Sequence, residues 1–302
     1  MLSMLKTLMP KQLFPIVIFS LLASLNGPVR GDSLTVTTVP ARAGQEASHD
    51  YFVSLLKLAF SKTADNKPPV SIAYSKSYSQ NGYLLELMRE GSRLDILWSG
   101  SSQSREKNLL TIKIPLVKGL LGYRMPIIRQ EQREQFAAIR TLEQLQSLTA
   151  CQGMYWPDAD ILETNGIAVK RLKNNEQMFS ELKRGSCDYI SLAVFEGQAE
   201  IDARSKNYPD LLFFQDLIIY YPYPMYFFVP KSKPALYERV ERGLQLAIAD
   251  GSFDKLMREH ASTQSIYPLS RWKNTTTIPL NNQSLQLKPR DLSPQLWILP
   301  DQ

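Results

Sequence analysis

Apolar positions along this chain recur in two alternating periods. Leu34 to Val39 is a short β-branched run closed by Pro40, which predicts a strand. Tyr51 to Phe60 follows with Phe52, Leu55, Leu56 and Ala59 at helical spacing, and Val70 to Tyr74 reads as a second strand. Tyr83 to Arg89 is a second helix stopped at Gly91, and Leu94 to Trp98 is a third strand. Strand, helix, strand, helix, strand predicts a parallel sheet with helices on its faces.

The same order then repeats. Thr141 to Gln144 has the spacing of a helix capping box, and a strand is expected from Cys151 to Tyr155. Asp158 to Asn165 reads as a helix ended by Gly166, Ile167 to Leu172 as a strand, and Asn174 to Lys183 as a helix ended by Gly185. Asp188 to Val194 is the closing strand. Two such units predict an α/β chain of two Rossmann-like lobes. Apolar runs at Leu120–Ile128 and Leu217–Val229 flank the second unit, so the chain crosses into lobe two and back, and the amphipathic helix Pro234–Ala249 packs onto lobe one. The expected boundaries are 32–122 and 225–278 for lobe one, 123–224 for lobe two, and 279–302 for a C-terminal tail.

Residues 1–31 read as a secretory signal peptide: Lys6 and Lys11 precede the apolar stretch Leu13–Leu25, which is short for a membrane span, and Val29 and Gly31 suit cleavage before Asp32. The product is expected in the periplasm. Its removal takes Lys6, Lys11 and Arg30 from the net charge of +6 and leaves +3. So mild a balance, without bases interleaved with aromatics, gives no reason to expect a nucleic-acid partner. His49 and His260 lack metal-ligand spacing and read as surface residues, and no nucleophile or phosphate-binding motif is present, so neither a cofactor nor a metal is expected. Cys151 and Cys187 each begin a strand of lobe two. In a sheet of order 2-1-3 those strands are neighbours, so the pair is either one bridge or two buried thiols.

The stretch Ser99-Gly-Ser-Ser-Gln-Ser-Arg105 closes the third strand of lobe one on a cation. A guanidinium there is either a bidentate grip for a carboxylate at the mouth of the sheet or an arginine on a solvated loop. Tyr74 and Trp98 end strands near the same mouth, as ligand contacts or as core aromatics.

Gly91-x-x-x-Asp95, the loop ending in Arg105, Gly185-x-x-Asp188, and Gly243-Leu244 leading to Ala249-Asp-Gly-Ser-Phe-Asp-Lys-Leu256 stand in an order that resembles the type II periplasmic binding protein fold. The likeness is to family 3 of the extracellular solute-binding proteins, receptors of amino acid ABC importers, in a branch without a firm ligand. It implies that Ser102-Gln-Ser-Arg105 places Arg105 on a ligand carboxylate with Ser99 and Ser102 beside it. Ala193 stands where amino acid binders commonly carry an ammonium-binding Asp, and Gly153-Met-Tyr-Trp-Pro-Asp158 replaces the usual Gly-Thr or Gly-Ser turn. Trp156 and Asp158 are therefore expected to face the cleft, with Asp158 alternatively a helix cap, and Glu196 after the last strand is either a substitute for the missing Asp or a residue without ligand contact.

These readings predict a non-catalytic, monomeric solute receptor, closing by hinge motion on a small polar, carboxylated solute, with an ABC permease or a membrane sensor as partner. The alternatives are a dehydratase-like enzyme on the same fold and an interaction module with a degenerate cleft.

Overall fold

The computed structural model describes residues 33–42, 45–65, 67–285 and 295–299. The expected signal peptide lies outside them. No helix among the described residues is long and apolar enough to cross a membrane.

Lobe one opens with β1 (Leu34–Thr38), α1 (Glu46–Lys62), β2 (Val70–Tyr74), α2 (Gln80–Met88), β3 (Leu97–Gly100), α3 (Gln103–Asn108) and β4 (Leu110–Ile112). Lobe two follows with β5 (Tyr123–Arg129), α4 (Arg133–Ala137), α5 (Leu142–Gln146), β6 (Thr149–Gly153), α6 (Pro157–Thr164), β7 (Ala168–Leu172), α7 (Asn175–Lys183), β8 (Tyr189–Ala193), α8 (Gly197–Arg204), β9 (Leu211–Phe213) and β10 (Leu217–Tyr220). The chain then returns through β11 (Met225–Val229), α9 (Pro234–Ala249) and α10 (Ser252–Glu259), and the last strand among the described residues is β12 (Thr276–Pro279).

Each lobe joins its third segment to its first with one aspartate. In lobe one, Asp95 Oδ2 accepts from Thr37 N at 2.5 Å while Asp95 N donates to Thr37 O at 2.9 Å. In lobe two, Asp188 Oδ2 accepts from Thr149 N and Asp188 N donates to Thr149 O, both at 2.7 Å. The aspartate that follows a glycine in each lobe, Asp95 after Gly91 and Asp188 after Gly185, is thus a structural clasp just before each third strand. The lobe-two ladder runs β7-β6-β8 in parallel, the expected 2-1-3 order, and β5 then adds antiparallel to β8. The predicted capping box of α5 is complete, with Thr141 accepting from Gln144 N.

Three expectations change. The third strand of lobe one begins at Leu97 rather than Leu94, because residues 94–96 are held to β1 by the Asp95 clasp and a Thr38 hydroxyl bond to Ile96 O instead of by a ladder. Its ladder partner is the returning β11, antiparallel, so β1-β2 and β3-β11-β4 are separate sheets. The run Leu217–Val229 is two strands, because Pro222 and Pro224 remove two amide donors between β10 and β11. Lastly, residues 276–278 leave lobe one: β12 pairs in parallel with β10, extending the sheet of lobe two and making a third crossing.

The tail then returns to the first crossing. Trp297 is buried against Gly119, whose φ of +80° suits glycine, and Ile298 N donates to Lys118 O at 2.9 Å.

Cys151 on β6 and Cys187 before β8 are bonded, with Cα atoms 5.7 Å apart and 36 residues of separation. The bridge closes a loop containing α6, β7 and α7. Replacing both cysteines by alanine is expected to cost about 3 to 4 kcal/mol of stability in the chain-entropy description. Urea unfolding of the oxidised protein and the double variant measures it, and equal midpoints would contradict the bridge's role.

Candidate functional site

A cavity of about 160 Å³ lies between the lobes. Lobe one supplies an aromatic wall: Trp98 on β3 stacks on Phe52 of α1 with ring centroids 5.1 Å apart, and His49 meets the Trp98 edge at 5.3 Å. His49 Nε2 lies 2.8 Å from Val39 O. Lobe two supplies Arg124, Trp156, Asp158, Glu196 and Glu200. Two wider grooves flank this cavity, of about 740 and 420 Å³.

The segment Gly153–Pro157 divides the three spaces. Trp156 N donates to Gly153 O at 3.0 Å, a tight turn that lays the indole over Gly153, and Pro157 starts α6 with its φ already suited to a helix. Trp156 therefore faces both the cavity and the smaller groove, while the largely exposed Tyr155 faces both grooves.

Arg124, on β5, is the buried centre of lobe two's wall. Its guanidinium reaches Asp158 at 3.0 Å, Ser191 O at 2.9 Å and Leu121 O at 3.1 Å, with Glu196 at 3.9 Å. Tyr221 donates its hydroxyl to Asp158 Oδ1 at 2.6 Å. Burial opposes the charge on Arg124, but Asp158, Tyr221 and Glu196 together hold its ionisation above the ordinary arginine range. The apolar run that predicted this strand hid the group on which the wall is built.

Of the residues expected at the site, Trp98, Ser99, Trp156, Asp158 and Glu196 line the cavity. Asp158 is the second residue of α6 rather than its cap, and its partners are Arg124 and Tyr221, so it is engaged within the protein. Glu196 Oε2 accepts from Ala193 N at 3.3 Å, which brings a carboxylate back over the alanine standing at the family's aspartate position. Burial pushes the Glu196 carboxyl up, partly offset by Arg124.

Arg105 and Ser102 line the larger groove instead of the cavity. Ser102 caps α3, accepting from Arg105 N at 3.3 Å. Arg105 is only 6% exposed, and its Nη1 donates to Gly100 O at 2.5 Å. Among the described residues, no carboxylate forms an ion pair with it. Tyr74 is 52% exposed, packs on His49 at 5.4 Å, and lines none of the three spaces. The two histidines are not simple surface residues: His49 lines the cavity, and His260 is half-buried against Asp50 at 3.1 Å.

One direct bond closes the lobes over the cavity. Gln45, just before α1, donates from Nε2 to Glu200 Oε1 of α8 at 2.6 Å. Glu200 is 1% exposed and is also held by Arg204 and Asn175, with Arg42 of lobe one nearby. Burial nevertheless raises its carboxyl above the ordinary range, against the pull of Arg204 and Gln45. Neither residue carries a sequence signal, since the contact exists only once the lobes meet.

Asp158→Asn is expected to destabilise the protein by about 3 to 5 kcal/mol, because it removes the nearest counter-charge from a buried guanidinium. Chemical denaturation measures the loss; a change below about 1 kcal/mol would contradict the pairing. Glu200 gives a second expectation. Burial raises its carboxyl in the folded protein, so folding takes up a proton there and the stability this contributes is lost as pH rises through the carboxylate range. Glu200→Gln should therefore flatten the fall in stability between about pH 4 and about pH 7 in chemical denaturation; an unchanged slope would contradict the assignment.

No family model matches the chain, and no curated protein matches it. Solved structures do. A mutant of ArgBP from T. maritima aligns with a TM-score of 0.54 at 19% identity, covering 76% of this chain and 95% of that one. A histidine kinase sensor domain with similarity to periplasmic binding proteins gives 0.56 at 14% identity, covering 77% and 97%. An ancestral amino acid-binding protein, a precursor of cyclohexadienyl dehydratase, gives 0.53 at 15%, covering 76% and 94%. Together with the two lobes and their linking segments, these likenesses show that the chain has the type II periplasmic binding protein fold.

Proposed function

We propose that this protein is a receptor that captures a small, amino-acid-like carboxylated solute between its lobes and presents the closed form to an ABC permease or a membrane sensor. The observation that carries the reading is Arg105, a buried guanidinium on an inter-lobe groove with a neutral backbone carbonyl, that of Gly100, as its partner. Taking such a charge out of water is costly, and a solute carboxylate would offset that cost through a charge-assisted, bidentate contact. Leu84, Met154 and Tyr155 on the same groove offer apolar cover, while Trp156, the Phe52–Trp98 stack and Glu196 line the neighbouring cavity. The expected signal peptide supports a periplasmic site of action. ArgBP and the sensor domain on the same fold support capture as the common role, and the choice between transport and sensing rests on the partner.

The test is a thermal-shift panel of the twenty L-amino acids, each beside the amine that lacks its carboxylate. One or more acids should raise the unfolding temperature while the matching amine does not. Arg105→Ala should then weaken binding of that acid by about 2 to 5 kcal/mol in calorimetry while the variant still folds. Arg105→Lys should lose nearly as much, because a point charge lacks the planar fork. Unchanged affinity in Arg105→Ala would overturn the carboxylate assignment, and turnover of a bound acid would favour the dehydratase-like alternative.

A further inference from the structure

The first crossing turns at Lys118 and Gly119, whose φ angles of +48° and +80° both lie in the left-handed region. Glycine adopts that region freely, whereas a residue with a Cβ is disfavoured there and persists in it only where its surroundings impose it. Lys118 is the one non-glycine residue with a positive φ among the described residues. Its buried side chain pairs with Asp254 of α10, which fastens the turn to lobe one.

The C-terminal tail grips the same turn. Trp297, 1% exposed, lies over Gly119 so closely that a Cβ there would stand 2.4 Å from the indole Cε2. Ile298 uses both of its backbone polar groups on the crossing: its N–H donates to Lys118 O at 2.9 Å, and its carbonyl accepts from the Tyr123 hydroxyl of β5 at 3.0 Å. One residue thus bridges the lobe-one and lobe-two sides of the turn Leu120–Gly122. Earlier in the tail, Leu280 N donates to Tyr220 O of β10 at 2.7 Å, and Asn281 exchanges two bonds with Asn165, at 2.8 and 2.9 Å. Asn282 Nδ2 donates to Pro222 O of the second crossing at 2.9 Å.

We propose that Trp297 and Ile298 clamp the hinge: they hold Lys118 and Gly119 left-handed and tie them to β5, and so restrain the motion of one lobe against the other. Hinge movement is absorbed by a few residues that change φ and ψ, and a disfavoured conformation relaxes once the contacts that impose it are removed. The inference rests on the two lobes moving as those of a receptor do, and it is independent of which solute lies between them.

The test uses the full chain with its disulfide intact and no solute. Nitroxides on Lys57→Cys of α1 and Lys183→Cys of α7, both exposed positions, report the inter-lobe distance, and hydrogen exchange reports the first crossing. Ile298→Pro removes the donor to Lys118 O and keeps Trp297, whereas a chain ended at residue 294 lacks the clamp altogether. Both variants should widen the distance distribution at least about twofold and speed exchange of residues 118–123 about tenfold, while β6 and β8 exchange as in the unmodified protein. Where the shortened chain folds poorly, Ile298→Pro alone decides. An unchanged distribution in the folded variants, or exchange accelerated equally throughout both lobes, would overturn the clamp.

Discussion

A guanidinium with almost no access to water depends on the protein around it, and the organisation of lobe two follows from the partners that Nη1 and Nη2 of Arg124 find, its Nε having none among the described residues. It projects from the first strand after a crossing, takes a carbonyl from Leu121 before it and another from Ser191 of the neighbouring strand, and draws Asp158 in from the start of α6. Tyr221 completes the group from the second crossing. One buried charge thus fixes two strands, a helix and both early crossings relative to each other. The polar wall it forms faces the aromatic wall of lobe one across a cavity that the Gln45–Glu200 bond closes.

That arrangement changes the meaning of the residues at the cleft. The acid of the Trp156-Pro157-Asp158 segment is engaged by Arg124 and Tyr221, whereas Glu196 reaches back over Ala193 and keeps a carboxylate where the resemblance indicated that one had been lost. The bulky replacement of a small turn partitions the inter-lobe space with Trp156 and Tyr155. Arg105 lines the larger groove and Tyr223 the cavity, so residues expected at one site stand in separate compartments.

Much of the fold was legible because local rules and tertiary packing agree. The β-branched runs, the glycine stops, the Thr141 capping box and the alternation that placed Cys151 beside Cys187 are all consequences of backbone geometry written in short stretches. The displaced residues were those whose position depends on distant partners. Asp95 pulls residues 94–96 toward β1 and delays the third strand, and β12 joins lobe two because the edge of β10 offers it a ladder. Arg124 was concealed within an apolar run, although a charge inside such a run is itself a sign of a buried ion pair. Gln45 and Glu200 lie 155 residues apart, and only closure of the lobes brings them together.

The central claim, that a small carboxylated solute is held between the lobes, is tested most directly by native mass spectrometry of the protein purified without denaturation from the cells that produce it. A one-to-one adduct of small mass that is released on denaturation, carries a carboxylate and is absent from Arg105→Ala is the expected result. A protein with no adduct that also binds none of the twenty amino acids, or an adduct retained equally by Arg105→Ala, would contradict it.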